Sequence, residues 1–474
     1  MKNTRRDFLK KVAITSAAMA VGCNYENDHD LEEKTKLLIS NNGDTPNILL
    51  VLVDQERQPM HTRPLRTPSR DRLKDHAVEF TNAHCTYPLC SPSRATVFTG
   101  RYPHEAGILR NCDPMGGNED MPSSIPTLGG VLSQSGYRTG YFGKWHLSGL
   151  TRVRTMPRRY GFDDARLSNQ VVGIGSDEYF ARYTGNWIKK QKDRGPWFAV
   201  YAPLNPHDIC YPVLRHFYPF EYADTKKDTA LPPNYSSVRS PGIHVVREKT
   251  IDWGRFSMGL REDFTDEYFR QYIAFYCNLV EEVDRCLGFI LDDIEQSGQW
   301  NNTIVVYTSD HGEMAASHGL QNKGTTMYEE NLNIPLLISH PGIMKGHACS
   351  DSLVSNIDLV PTILSMTGVQ WPEKLHGKSL LSASGTHVPG NRDHVFAEGG
   401  GVPVAYWRGI RTREWKYWHY TETGEELLFN IKKDPYELNN LAGDPAHTAR
   451  IRRFRNSVRA WRTQTNDPVK SFLT

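Results

Sequence analysis

The chain has 474 residues, 38% of them hydrophobic, with 56 Lys and Arg against 54 Asp and Glu for a formal net charge of +2. This length exceeds one simple small domain and suits a large α/β domain with a smaller companion. Nearly cancelled charge excludes a nucleic-acid binder of the bulk-basic kind.

Residues 1–22 are predicted to be a targeting segment. Thr4-Arg5-Arg6-Asp7-Phe8-Leu9-Lys10 has the form of a twin-arginine export signal. The apolar stretch from Val12 to Gly22 is far too short to span a bilayer. It ends Ala20-Val21-Gly22-Cys23, the form of a bacterial lipoprotein cleavage box with Cys23 as the lipidated first residue. A polar tether over 23–45 follows. The expected location is therefore outside the cytoplasm, periplasmic or at the cell surface, with membrane attachment only through the lipid.

The run Asn47-Ile48-Leu49-Leu50-Val51-Leu52-Val53 is continuously apolar and stops at Asp54-Gln55. That pattern predicts a strand buried on both faces of a parallel sheet. The same pattern recurs at Trp197 to Tyr201 before Asn205-Pro206-His207, and at Thr303 to Thr308 before Asp310-His311. Each strand delivers polar groups at its carboxyl end, where open α/β sheets place their ligand sites. The stretch from Tyr211 to Arg261 is rich in Pro, Tyr and charge, and reads as an insertion over the active face or an irregular surface loop. Phe275, Leu279, Val283, Cys286, Ile290 and Ile294 recur at three- and four-residue steps until Gly298. They predict a helix with one core-facing stripe.

A catalytic domain over 46–387 gives way to a subdomain over 388–474. Strands are expected at Arg408 to Thr412, Lys416 to Tyr420 and Glu426 to Phe429, then a helix through Arg452 to Trp461. Of the eight cysteines, Cys23 and Cys90 have their own readings. Cys85, Cys112, Cys210, Cys277, Cys286 and Cys349 form no CxxC pair, which argues against a zinc site; isolated buried thiols are the default, and disulfides formed after export, of a connectivity the sequence does not give, are the alternative.

The stretch Cys90-Ser91-Pro92-Ser93-Arg94-Ala95-Thr96-Val97-Phe98-Thr99-Gly100-Arg101 resembles the C-x-P-S-R…T-G signature of the type I sulfatases, in the alkaline phosphatase superfamily. Further family motifs follow in order. They are Gly143-Lys144-Trp145-His146-Leu147, Asn205-Pro206-His207, Ser309-Asp310-His311-Gly312, Lys323 before Tyr328-Glu329-Glu330, Ile334-Pro335-Leu336, and Asp434-Pro435 with Asn440-Leu441. The resemblance spans roughly Pro46 to Asp444. It implies an alkaline-phosphatase-like fold, a large, mixed but mostly parallel sheet flanked by helices, with a smaller antiparallel C-terminal subdomain.

It also implies a chemistry. A maturation enzyme would oxidise Cys90 to formylglycine (3-oxoalanine), whose hydrate supplies the oxygen nucleophile. A sulfate ester is anionic and repels that nucleophile, so the site must neutralise charge. Asp54, Gln55, Asp310 and His311, with modified Cys90, would hold a divalent cation; the oxygen-rich set favours Ca2+, with Mg2+ or Mn2+ as alternatives. Gln55 stands where the family often has a second Asp, so the site carries one negative charge less. Arg94 and Lys144 would fix the hydrate, and Lys323 would contact sulfate as a point charge. His207 is the candidate general acid for the leaving alcohol. His146 is the candidate base that lets the sulfated hydrate collapse. Glu313, His318 and His340 receive no chemical role. The expected substrate is a sulfated carbohydrate. A phosphonate monoester or phosphodiester hydrolase is the alternative, and an inactive surface glycan-binding protein is the third reading.

Overall fold

A computed structural model describes residues 45–470 apart from 59–62, 113–119, 150–155, 169–171, 212–213, 215, 218–228, 236–264, 325, 382–391 and 402–403. The signal segment, Cys23, nearly all of the tether, most of the Tyr211 to Arg261 stretch and the 387/388 boundary lie outside the described residues.

The apolar run becomes strand β1 (Asn47–Val53), buried along its whole length. Its neighbours are β6 (Trp197–Ala202) and β7 (Thr303–Ser309), both parallel to it. Strands β2 (His76–Phe80), β4 (Arg138–Gly143), β5 (Asp164–Leu167), β8 (Leu336–Ser339) and β9 (Gly346–Ser350) complete an eight-stranded sheet ordered β5-β4-β6-β1-β7-β8-β2-β9. Only β8 runs against the rest, pairing antiparallel with both β7 and β2. A short pair, β3 (Ala83–His84) with β10 (Val354–Ser355), lies apart.

Both faces of β1 are covered, which is why its sequence shows no alternation. Leu49, Val51 and Val53 pack with Val283, Leu287, Ile290 and Ile294 of the long helix Asp266–Gln296. Ile48, Leu50 and Leu52 face the other way, into the core that holds Ala95, Val97 and Phe98 of the helix Cys90–Thr99. Burying each such aliphatic side chain is worth about 1.5–3 kcal/mol. The long helix starts earlier than its stripe predicts, at the Thr265 cap, whose hydroxyl accepts from Tyr268 N at 3.1 Å.

The C-terminal part is a four-stranded antiparallel meander, β11 (His394–Gly401), β12 (Val404–Thr412), β13 (Trp415–Tyr420) and β14 (Glu426–Asn430), covered by the helix Thr448–Gln464. Three of these strands match expectation. Strand β11 is additional, and its run of glycines with a register shift between Gly399 and Gly401 hides it from a pattern search. Cys85, Cys112, Cys277 and Cys286 are buried free thiols, as expected.

Candidate active site

The polar groups of the site come from the carboxyl ends of neighbouring parallel strands. Asp54 and Gln55 leave β1, Asp310 and His311 leave β7, Lys144 and His146 leave β4, and His207 follows β6. Opposite them, Cys90 opens the helix Cys90–Thr99 and so stands at its positive dipole end. Two backbone positions are bent for the purpose. Gln55 (φ 73) and His146 (φ 56) lie in the left-handed region, where a non-glycine residue costs about 1–3 kcal/mol and persists only if its surroundings hold it. Gln55 is held by its own N–H on Asp310 Oδ1 at 3.1 Å and by Tyr276, whose hydroxyl donates to the Gln55 carbonyl at 2.7 Å.

The site has a buried floor and a half-buried rim. Asp54, Gln55, Cys90, Arg94, Asp310 and His311 are buried on the floor. Lys144, His146, His207 and Lys323 stand partly exposed around it, with Cys210 among them. The Cys90 Sγ lies 3.2 Å from His311 Nε2, 3.5 Å from Lys144 Nζ and 3.7 Å from Asp54 Oδ1. Arg94 ties the two acids together, donating Nε to Asp310 Oδ2 at 2.8 Å and Nη2 to Asp54 Oδ2 at 3.2 Å. A third bond, Nη1 to the Lys144 carbonyl at 2.8 Å, fixes the β4 end to the same floor. Lys144 Nζ pairs with Asp54. Lys323 Nζ meets Gln55 Oε1, and the Cys210 Sγ at 3.4 Å.

Asp54, Cys90, Asp310 and His311 each place a donor atom within 4.8 Å of the others, all buried. His311 Nδ1 faces the Gly312 carbonyl at 2.9 Å, so that nitrogen carries a proton and Nε2 is the one turned to the cluster, where a bound cation would replace any proton on it. Two carboxylates, one neutral imidazole nitrogen and the residue-90 side chain fit a divalent cation. Gln55 is placed differently: its side-chain oxygen accepts from Lys323 and from the Cys210 thiol at 3.4 Å.

The electrostatics follow from this crowding. Burial pushes the Asp54 carboxyl up, but its cationic neighbours, Lys144 foremost and Arg94 with it, outweigh burial and hold it well below the usual range. Burial and Asp54 oppose ionisation of the Cys90 thiol, yet Lys144, Lys323 and His311 bring it well below the ordinary thiol value. His207 is pushed well below the usual histidine range by burial, then by Lys144 and Lys323. The site is thus poised to hold negative charge beside residue 90.

All of the sequence-predicted site residues other than Cys23 therefore converge on one strand-end face. Two further groups join them. Cys210 stands at the rim, and Glu313 lies buried behind Gln55, whose Nε2 donates to it at 2.5 Å. The signals were present, three residues beyond His207 and three beyond Asp310, but neither residue type stands out there without the fold.

The family model for sulfatases matches residues 46–369, and that for the N-sulphoglucosamine sulphohydrolase C-terminal region matches 316–464. An ulvan-active sulfatase of Formosa agariphila is 28% identical over 84% of this chain and 78% of its own length. A Delta 4,5-hexuronate-2-O-sulfatase of Bacteroides thetaiotaomicron is 28% identical over 90% of both chains. Among solved structures, a 2-O GAG sulfatase superposes with a TM-score of 0.75 at 25% identity, covering 90% of this chain and 95% of its own. A phosphonate monoester hydrolase of Agrobacterium radiobacter shares the fold, with a TM-score of 0.72 at 23% identity over 89% of this chain and 96% of its own. The chain belongs to the sulfatase family of the alkaline phosphatase superfamily and is a sulfuric ester hydrolase.

Proposed function

We propose that this sulfatase releases sulfate from a sulfated carbohydrate, with residue 90 acting as formylglycine. The observation that carries the mechanism is the position of Cys90, at a helix N-terminus, 3.5 Å from the Lys144 ammonium and beside the buried Asp54, Asp310 and His311. A nucleophile there has the Lys144 ammonium to stabilise an oxyanion, and the two carboxylates would add to this through the cation they hold. Relatives named for ulvan and for a hexuronate 2-O-sulfate support the carbohydrate part.

Asp54, Asp310, His311 and residue 90 would hold a divalent cation, Ca2+ before Mg2+ or Mn2+; Gln55, expected from the sequence as a further ligand, has its side-chain oxygen on Lys323 instead. Such an ion neutralises charge on the sulfate and favours the ionised nucleophile. Arg94 and Lys144 keep the hydrate of residue 90 oriented, and Lys323 binds a sulfate oxygen. As the hydrate oxygen bonds to sulfur, the bond from sulfur to the alcohol oxygen breaks, and His207 gives its proton to that oxygen. His146 then takes the proton of the remaining hydroxyl. The C=O bond re-forms, the bond between carbon and the sulfate oxygen breaks, and sulfate leaves. Water restores the hydrate.

The reading extends to location. The Arg5-Arg6 run and the box ending at Cys23 support export with lipid anchoring, which suits a polymeric anionic substrate met outside the cytoplasm. A formylglycine-generating enzyme would be the maturation partner.

Two measurements test this reading. Residue 90 in active enzyme should be about 18 Da lighter than cysteine by peptide mass spectrometry, as thiol-to-aldehyde conversion requires. Active enzyme with intact Cys90 would sink the mechanism. Defined sulfated saccharides, assayed for free sulfate beside aryl sulfate and aryl phosphonate esters, should show turnover of a saccharide. Turnover confined to the phosphonate would assign the chain to the other reaction.

A further inference from the structure

Glu313 is fully buried. Its carboxylate is met by four neutral donors. Oε1 accepts from Ala315 N at 3.0 Å, Asn322 N at 2.8 Å and Tyr272 Oη at 2.8 Å, while Oε2 accepts from Gln55 Nε2 at 2.5 Å. A buried carboxylate needs such bonds merely to exist, but their destinations say more. The loop from His311 to Lys323 passes through the left-handed region at Ala315 (φ 40), Ala316 (φ 70), His318 (φ 56) and Asn322 (φ 65). Backbone strain of about 1–3 kcal/mol at each such position has to be offset, and the Glu313 carboxylate sits in the middle of the turn that accumulates it.

The Gln55 contact has a fixed polarity. A carboxylate only accepts and an ammonium only donates, so the amide must point its NH2 at Glu313 and its carbonyl at Lys323. Glu313 therefore grips Lys323 twice, through the side chain of Gln55 and through the backbone of the preceding Asn322. Lys323 in turn rests on two uncharged acceptors, Gln55 Oε1 and Cys210 Sγ, so its positive charge stays available to an anion.

We propose that Glu313 is a positioning residue, fixing the Lys323 ammonium and with it the sulfate-binding end of the site. This rests on the assignment of Lys323 to sulfate made above. It also gives the neutral Gln55 a physical reason: a carboxylate at position 55 would face the Glu313 carboxylate, whereas an amide links an acid behind it to a cation in front.

Glu313→Gln tests the idea at nearly constant size. Its carbonyl can serve the three donors at Oε1, but its NH2 then confronts the NH2 of Gln55. The Gln55 amide must turn round and present N–H to Lys323. Calorimetric titration with inorganic sulfate reads the ammonium without turnover, and thermal unfolding reads the fold. Sulfate affinity should fall roughly 10- to 100-fold, the scale of a lost hydrogen bond to a charged group, and KM for a sulfate ester should rise with it. Tyr272→Phe removes one donor from the same carboxylate but leaves Gln55 and Asn322 in place, and should keep wild-type affinity. A folded Glu313→Gln enzyme with wild-type sulfate affinity overturns the proposal. Should that variant not fold, Glu313→Asp keeps the charge but is one methylene too short to hold both Gln55 and Asn322. Unchanged affinity in folded Glu313→Asp is equally fatal. Wild-type enzyme that takes up no sulfate overturns the reading of Lys323 and this proposal with it, an outcome distinct from equal binding by wild type and variant.

Discussion

His207 carries the most exposed part of the mechanism. Burial and the nearby Lys144 and Lys323 cations keep its ring well below the usual histidine range, so in the free site it is neutral at pH 7. An anionic ester placed between those cations would offset them and favour the protonated ring, so that substrate binding would itself supply the proposed acid. If His207 protonates the leaving oxygen, His207→Ala should hurt poor leaving groups most. The expected loss in kcat/KM is about 10²–10⁴-fold with a sugar sulfate and clearly smaller with an activated aryl sulfate. Equal losses on both would reduce His207 to a binding group. Arg94 is positioned by a different logic. Its planar fork reaches Asp54, Asp310 and the Lys144 carbonyl at once, geometry that a lysine ammonium lacks.

Strand β4 shows how one backbone position places a side chain. Gly143 has φ 116, and a Cβ there would lie 1.9 Å from the Ala202 carbonyl oxygen of β6. Lys144 N donates to that same oxygen at 2.7 Å. Gly143→Ala should therefore push the two strand ends apart and move Lys144 off Asp54. We expect a loss of about 3 kcal/mol in denaturant unfolding and a large fall in kcat. Wild-type stability would show that the strand ends tolerate the clash. The long helix makes the complementary point about legibility. It was readable from Phe275 to Ile294, where six residues form a one-sided stripe. Ahead of that stripe the helix is also lined with buried residues, among them Phe269, Tyr272 and Ile273, because loops and the strand-end face cover it. No single stripe survives there, and the start at Asp266 was set by the Thr265 cap and the packing together.

Two long-range links join the architecture. The first is the cluster that would hold the proposed cation, whose residues are 54, 90, 310 and 311 and so come from the end of β1, from the helix Cys90–Thr99 and from the end of β7. Chelation should abolish turnover and lower Tm, and Ca2+, Mg2+ or Mn2+ should restore both. Saturation at about 100-fold over Kd stabilises by roughly 2.7 kcal/mol. Full activity in a demonstrably metal-free preparation contradicts the assignment. The second link clasps the C-terminal meander to the catalytic core. His104 Nδ1 faces Glu398 Oε1 at 3.0 Å and Oε2 at 2.9 Å, while Nε2 faces the Thr465 carbonyl at 3.2 Å. Arg408 pairs with Glu398 at 3.2 Å and with Asp467 at 2.7 Å. Both nitrogens of His104 meet acceptors only, so the ring is satisfied only when doubly protonated. Burial and Arg408 oppose that charge, but Glu398, helped by Asp467, outweighs them and raises His104 above its ordinary 6.5. A folded value above the unfolded one contributes stability that is complete below about pH 6.5 and lost as pH rises through the folded value. Wild-type Tm should therefore decline above neutrality more steeply than that of His104→Gln, whose side chain does not titrate. Parallel Tm profiles would remove His104 from the clasp.

Local sequence was enough for the central strands, the helical stripe and the reactive motif. Continuous apolar runs such as Ile48 to Val53 have few alternatives to a strand buried on both faces, and the Cys90 to Arg101 stretch is long enough to be specific by itself. Chain order also placed the polar groups correctly at strand ends, because a parallel sheet brings all those ends to one side. What lay beyond local pattern were relations between residues hundreds of positions apart. Gln55 and Glu313 are 258 residues apart and His104 and Glu398 are 294 apart, yet each pair is joined by a buried hydrogen bond. A buried glutamate and an isolated thiol have no periodicity of their own. Glu313 and Cys210 took on meaning only when folding removed water and left each with a specific partner.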